Sequence, residues 1–101
     1  MRILYKEPEK APHTMIIPND DLGIMQQLVD GYIEIVLLAS DIAIVCNDEG
    51  KLRGMEANFY AEAIDDVICG PAFLCKIDGE DLTGISDYDV KWICNKLGWR
   101  C

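Results

Sequence analysis

Polar and apolar residues alternate over the first six positions, Met1 to Lys6, with Ile3 and Tyr5 set against Arg2, Leu4 and Lys6. That period of two predicts a short strand, and Glu7-Pro8 ends it because proline has no N–H to give to a ladder. The segment APHTMIIP, bounded by Pro12 and Pro18, predicts a second brief extended piece. Asn19 or Asp20 then stands as the N-cap of an amphipathic helix of about ten residues, in which Leu22, Met25, Leu28 and Val29 recur at helical spacing and Gly31 is the stop.

From Tyr32 the period returns to two: Ile33, Ile35 and Leu37 face one way, Glu34, Val36 and Leu38 the other. A Ser40-Asp41 break leads into the run Ile42 to Cys46. Two strands joined by so short a connector are antiparallel neighbours. The next residues, Asn47-Asp48-Glu49-Gly50, carry the chemistry of a type I turn with its glycine in the left-handed position, and Lys51-Leu52-Arg53 would be the returning strand. Residues 55 to 66 fit either a helical turn or a loop anchored by Phe59 and Tyr60. Val67 to Ile77, broken at Gly70-Pro71, predicts one or two further strands, and Asp78-Gly79 a turn. In the last element Ser86 and Asp89 form a capping box, Val90, Ile93, Cys94 and Leu97 an apolar stripe, and Gly98 the stop. Together these predict one α+β domain: a small, mainly antiparallel sheet with a helix in its N-terminal half and a C-terminal helix.

Composition adds a sign to this outline. The 101 residues are half hydrophobic and 27% charged, which is globular, and the formal net charge is −9. Between Ala11 and Gly50 stand Asp20, Asp21, Asp30, Glu34, Asp41, Asp48 and Glu49 with no lysine or arginine; Lys51 and Arg53 are the only bases between Ala11 and Lys76. The stretch Ala11 to Cys75 holds 11 acids and 2 bases, the whole net charge of the chain. A field of that sign repels nucleic acid and anionic membranes, so direct binding to either is excluded, and a partner should present positive charge. The acids form either a solvated surface or an interaction face. No apolar run reaches the length of a membrane span and the first residues lack the apolar core of a leader, so a cytoplasmic protein is expected. Five cysteines, an odd number, suit a reducing compartment better than a disulfide framework.

Candidate chemistry is sparse. The only histidine, His13, lies in a proline-flanked segment without a visible nucleophile, and no catalytic constellation is present, so no enzymatic activity is expected. Cys69 and Cys75 across the Gly70-Pro71 break, with Cys94 and Cys101 seven positions apart on an extended helix, would supply four thiolates for a tetrahedral zinc ion. The alternative is that Cys69, Cys75 and Cys94 are buried small hydrophobes and Cys101 a loose end. Asp65-Asp66 and Asp78, Glu80, Asp81 lack the alternating ligand ladder of a calcium loop and read as solvated turns. Without a glycine-rich cradle, and with Arg2, Arg53 and Arg100 scattered, phosphate binding is disfavoured. Phe59, Tyr60, Tyr88, Trp92 and Trp99 are available either as interface anchors or as core.

The segments YIEIVLLASDIAIVCNDEGKLRGMEAN and ICGPAFLCKIDGEDLTGISDYDVKW resemble a family of small proteins of phages, plasmids and other mobile elements, the domain of unknown function DUF3846. The matching features are Cys46 through Lys51, Gly54 through Asn58, Gly70-Pro71 and Asp78 through Asp81, so the resemblance runs from Leu22 onward. Cys69, Cys75 and Cys94 depart from it, standing where small or aliphatic residues are expected. The resemblance brings no catalytic residue. It implies an anti-defence setting, and together with the charge it leads to the expectation of an acidic inhibitor of a basic, nucleic-acid-handling host protein, first a Cas9-type nuclease and second a restriction enzyme. The charge pattern points to Asp20, Asp21, Asp30, Glu34, Asp41, Asp48 and Glu49 as the partner-binding residues. The alternatives are a zinc-stabilised structural or adaptor protein held by Cys69, Cys75, Cys94 and Cys101, or an anti-restriction DNA mimic.

Overall fold

The computed structural model describes all 101 residues. Eight strands and two helices follow in the order β1 (Arg2–Lys6), β2 (His13–Ile16), α1 (Leu22–Val29), β3 (Ile33–Ala39), β4 (Ile42–Asn47), β5 (Ala57–Ala61), β6 (Asp66–Cys69), β7 (Ala72–Asp78), β8 (Asp81–Thr83) and α2 (Asp87–Leu97), with one 3₁₀ turn at Glu62–Ile64. The main sheet has the order β2-β1-β7-β4-β3, with β8 also on β7, and β5 and β6 form a separate hairpin. Every pairing is antiparallel. The α+β class and both helices therefore stand as the sequence predicts.

The middle strand of the sheet is β7, and β4 lies between it and the edge strand β3. All six residues of β4 are buried because the sheet is covered on both sides there. Alternation along the strands sorts the core into two halves. Ala43, Val45, Phe73, Cys75 and Ile3 face α1, which contributes Met25 and Val29. Ile44, Leu74, Leu4, Val36 and Leu38 face the opposite way, under the β5–β6 hairpin (Phe59, Ala61, Ile68) and α2 (Ile93, Cys94). Phe73 is completely enclosed, and burying a side chain of that size stabilises the fold by about 2–3 kcal/mol.

Helix α2 begins where the capping box puts it. The Ser86 hydroxyl accepts from the Asp89 N–H, the Asp89 carboxylate accepts from the Ser86 N–H, and Gly98 closes the helix in the left-handed conformation. Helix α1 differs in detail. Its cap is Asp21, whose carboxylate accepts from the Ile24 N–H at 3.0 Å, and its left-handed terminal residue is Asp30 (φ 59°), where Gly31 was expected. Gly31 follows it at φ +154° and is required both for that backbone and for space, since a Cβ there would lie 2.6 Å from the Asn47 amide nitrogen.

No strand returns after the Asn47–Gly50 turn. Residues 48–54 wind through successive turns, with Arg53 N–H donating to Glu49 O (2.8 Å) and Met55 N–H to Gly50 O (2.9 Å). Gly50 is not in the left-handed region; it is needed because a Cβ would stand 2.5 Å from the carbonyl oxygen of Cys69. The partner strand for this part of the chain is β5, and it pairs with β6. The two runs either side of Gly70-Pro71 thus belong to different sheets.

The C-terminal tail folds back along α2. Cys94 and Cys101 are joined by a disulfide, which differs from the fully reduced chain expected from the cysteine count. Trp99, within the tail that this bond closes, lies edge-on against Phe59, ring centroids 5.0 Å apart. Lys6 lies 5.9 Å from the Trp99 ring and donates to Asn58 Oδ1 at 3.0 Å and to Glu7 O at 2.7 Å. Its burial lowers the ammonium's pKa, and the ring and amide dipoles take the place of a carboxylate.

Candidate interaction surface

The loop after β4 is a folded device before it is a surface. The buried Asn47 side chain donates to the carbonyls of Val29 and Asp30, each at 3.0 Å, and accepts from the Glu49 N–H at 2.8 Å. One amide thereby satisfies the end of α1 and the start of the loop together, and leaves the adjacent Asp48 and Glu49 side chains exposed.

Under this loop, between β3–β4 and the β5–β6 hairpin, is a cleft of about 160 Å³ whose walls include Glu34, Cys46, Asp48, Glu49, Asp66 and Cys69. Of the acids named from the sequence, Glu34, Asp48 and Glu49 come together here. The other four do not join them. Asp30 pairs with Arg53 at 3.4 Å, Asp21 is committed to capping α1, Asp41 borders a hollow with Tyr88 and Trp92, and Asp20 lies in a groove with Glu80 and Asp81. The base-free acidic stretch of the sequence is therefore three separate surfaces. Moreover, the two bases that follow it fold back onto acids: Arg53 onto Asp30, and Lys51 onto Asp66, whose carboxyl is held below its usual range first by that hydrogen bond.

Glu80 and Asp81, which in the sequence alone read as a solvated turn, are part of a shared acidic rim. The β7–β8 connection carries them beside Asp20, 60 positions away in the chain; the Asp-Gly-Glu-Asp run was the only signal available.

The thiols do not converge. Cys75 is fully buried against α1, Cys94 lies in the opposite half of the core in its bond to Cys101, and Cys69 opens onto the cleft beside Cys46. Nowhere do three or more histidine, cysteine or acidic side chains gather as a metal site requires. Burial pushes the Cys75 thiol up to about 12, and burial with Glu34 and Asp48 nearby pushes Cys46 up to about 11. Both remain protonated near neutrality, so neither presents a thiolate. The Cys46 thiol donates to Glu34 O at 3.7 Å, while His13 sits on β2 with its ring edge-on to Tyr5 at 5.6 Å. Among the aromatic anchors, Phe59 is core and Trp99 packs on it, Trp92 is half-buried, and Tyr60 and Tyr88 are exposed.

A family model described as Domain of unknown function (DUF3846) matches residues 1–98, which includes the N-terminal hairpin as well as the part from Leu22 onward. No curated protein and no solved structure matches the chain.

Proposed function

We propose that this chain, which belongs to the family described as Domain of unknown function (DUF3846), is a non-enzymatic acidic inhibitor carried by a mobile element and acting in the cytoplasm of a bacterial host. Its target in this reading is a basic, nucleic-acid-handling defence protein, a Cas9-type nuclease first and a restriction enzyme second. The observation that carries it is the unanswered charge on the surface. Only five of the 18 acidic side chains, Glu7, Asp30, Asp66, Asp87 and Asp89, have a lysine or arginine partner, and Asp20, Asp41, Asp48 and Glu49 are exposed without one.

A protein that holds DNA presents lysines and arginines at phosphate spacing, and a folded array of carboxylates can occupy them. Long-range attraction raises the association rate, and the exposed rings of Tyr60 and Tyr88 offer apolar contact once the charges have met. The decisive experiment is competition. A purified Cas9-type nuclease loaded with guide RNA is mixed with this protein, and retention of target DNA is measured at rising salt. Loss of DNA binding at low salt that recovers above about 0.5 M, where screening shortens to a few ångströms, supports the reading. Undiminished DNA binding by both the nuclease and a restriction enzyme overturns it.

A further inference from the structure

The main sheet is not covered evenly. On the hairpin side Val36 and Leu38 of β3 are buried, but on the other side α1 is only eight residues long and lies over β4 and β7. Ile35 and Leu37, facing that side from the edge strand β3, remain 44% and 50% exposed, and Leu22 in the first turn of α1 remains 53% exposed. The part of this area around Leu22 and Ile35 forms a groove of about 230 Å³ between α1, β3 and the β7–β8 turn. Leu22, Met25, Ile33, Ile35 and Leu82 provide its apolar surface. Asp20, Glu80 and Asp81 are its only charged residues, all three exposed and none ion-paired.

We infer that this groove is the docking site for a segment of a partner protein that presents an aliphatic side chain flanked by lysines or arginines. Apolar walls beneath a rim of one sign select both properties at once: the aliphatic group removes Leu22 and Ile35 from water, and the flanking cations meet Asp20, Glu80 and Asp81. A second copy of the chain is disfavoured because it brings a net charge of −9 and the same acidic rim. An anionic lipid surface is repelled for the same reason. The inference takes the partner's positive charge from the inhibitor reading but locates it elsewhere than the cleft at Asp48 and Glu49.

The test is methyl and amide NMR of the labelled protein titrated with an acetylated Lys-Arg-Leu-Leu-Arg-Lys amide, alongside the same peptide with serine for both leucines. The expected result is saturable shifts at Leu22, Met25, Ile33, Ile35 and Leu82, binding at least tenfold weaker for the serine peptide, and loss of the shifts in Ile35→Lys and Asp81→Lys proteins whose spectra show an intact fold. Equal binding of the two peptides, shifts centred on the Lys51 cleft, or no saturation at millimolar peptide would overturn the groove. Salt-sensitive inhibition of a nuclease by an Ile35→Lys protein that no longer binds the peptide sinks the groove as the docking site and leaves the inhibitor reading standing. Peptide binding in the groove without inhibition of either nuclease sinks the inhibitor reading and leaves the groove.

Discussion

The side-chain amide of Asn47 donates to the main-chain carbonyl of Val29 at 3.0 Å, fastening the end of β4 to the last turn of α1. The same side chain serves Asp30 O and the Glu49 N–H, and it is only 6% exposed. Asn47→Ala would leave these groups without their partner in a place water hardly reaches. A loss of about 2 kcal/mol in urea unfolding is expected. Asn47→Asp should be worse, because a carboxylate would face two carbonyl oxygens. Wild-type stability in the alanine protein would show that the bracket contributes nothing.

Gly50 and Gly54 end the two halves of the same loop and should respond differently to alanine. At Gly54 (φ +68°) there is open space, so the cost is that of a left-handed alanine, about 1–2 kcal/mol. At Gly50 the added carbon would stand 2.5 Å from a backbone oxygen of β6, which only a shift of the hairpin can relieve. Gly50→Ala is therefore expected to destabilise more than Gly54→Ala and to move amide resonances in β5 and β6. The reverse order in paired denaturation curves would contradict this packing.

These glycines show what the sequence made legible. Signals that act over a few residues match the structure: the Ser86–Asp89 box, the Gly98 stop, the alternation that is β3 and the apolar run that is β4. Gly50 was assigned to the right turn for the wrong reason, since its neighbour is Cys69, 19 positions on. The returning strand at Lys51–Arg53 failed because the ladder beside β4 is already taken by β3 and β7. The cysteines failed similarly: a continuous helix would have aligned Cys94 with Cys101, but the helix ends at Gly98 and the tail turns back to the same thiol. The acidic surface was legible as a quantity and not as a place, because strand order decides that Asp20 meets Glu80 and Asp81.

Asp89 gives the fold a handle on pH. Burial alone would raise its carboxyl, but hydrogen bonds from the Ser86 N–H and hydroxyl and the charge of Lys76 outweigh it and hold the folded value below the ordinary one. A depressed carboxylate stabilises above its unfolded value, about 3.9, and that contribution is lost as pH falls through the folded value. Asp89→Asn should therefore be less stable than wild type at pH 7, by about 1 kcal/mol for a weakened cap, with the gap closing under acid. A gap that is constant from pH 7 to pH 2 would remove the charge from the account.

Reduction of the Cys94–Cys101 bond should free the tail that carries Trp99. With the cysteines seven positions apart, the chain entropy removed by the bond corresponds to about 2–3 kcal/mol. Thiol reductant, or Cys101→Ser, is expected to lower stability by up to that amount and to shift tryptophan emission to the red as Trp99 leaves Phe59. Unchanged emission after complete reduction, confirmed by thiol titration, would mean that the aromatic contact and Lys6 hold the tail unaided.

Charge reversal should separate acids that serve the fold from acids that serve the surface. Asp48 and Glu49 are exposed and unpaired, and their neighbour Asn47 holds the loop without them. Asp48→Lys with Glu49→Lys is expected to leave the unfolding curve within about 0.5 kcal/mol of wild type and, under the proposed inhibitor function, to slow association with the nuclease, because the lost term is long-range attraction. Asp21→Lys should slow association too, but it also removes the cap on Ile24 and costs about 1 kcal/mol of stability. In both variants the salt dependence of the association rate should flatten and the dissociation rate change little. An association rate equal to wild type in the doubly reversed protein would mean that the cleft at Asp48 and Glu49 takes no part in recognition.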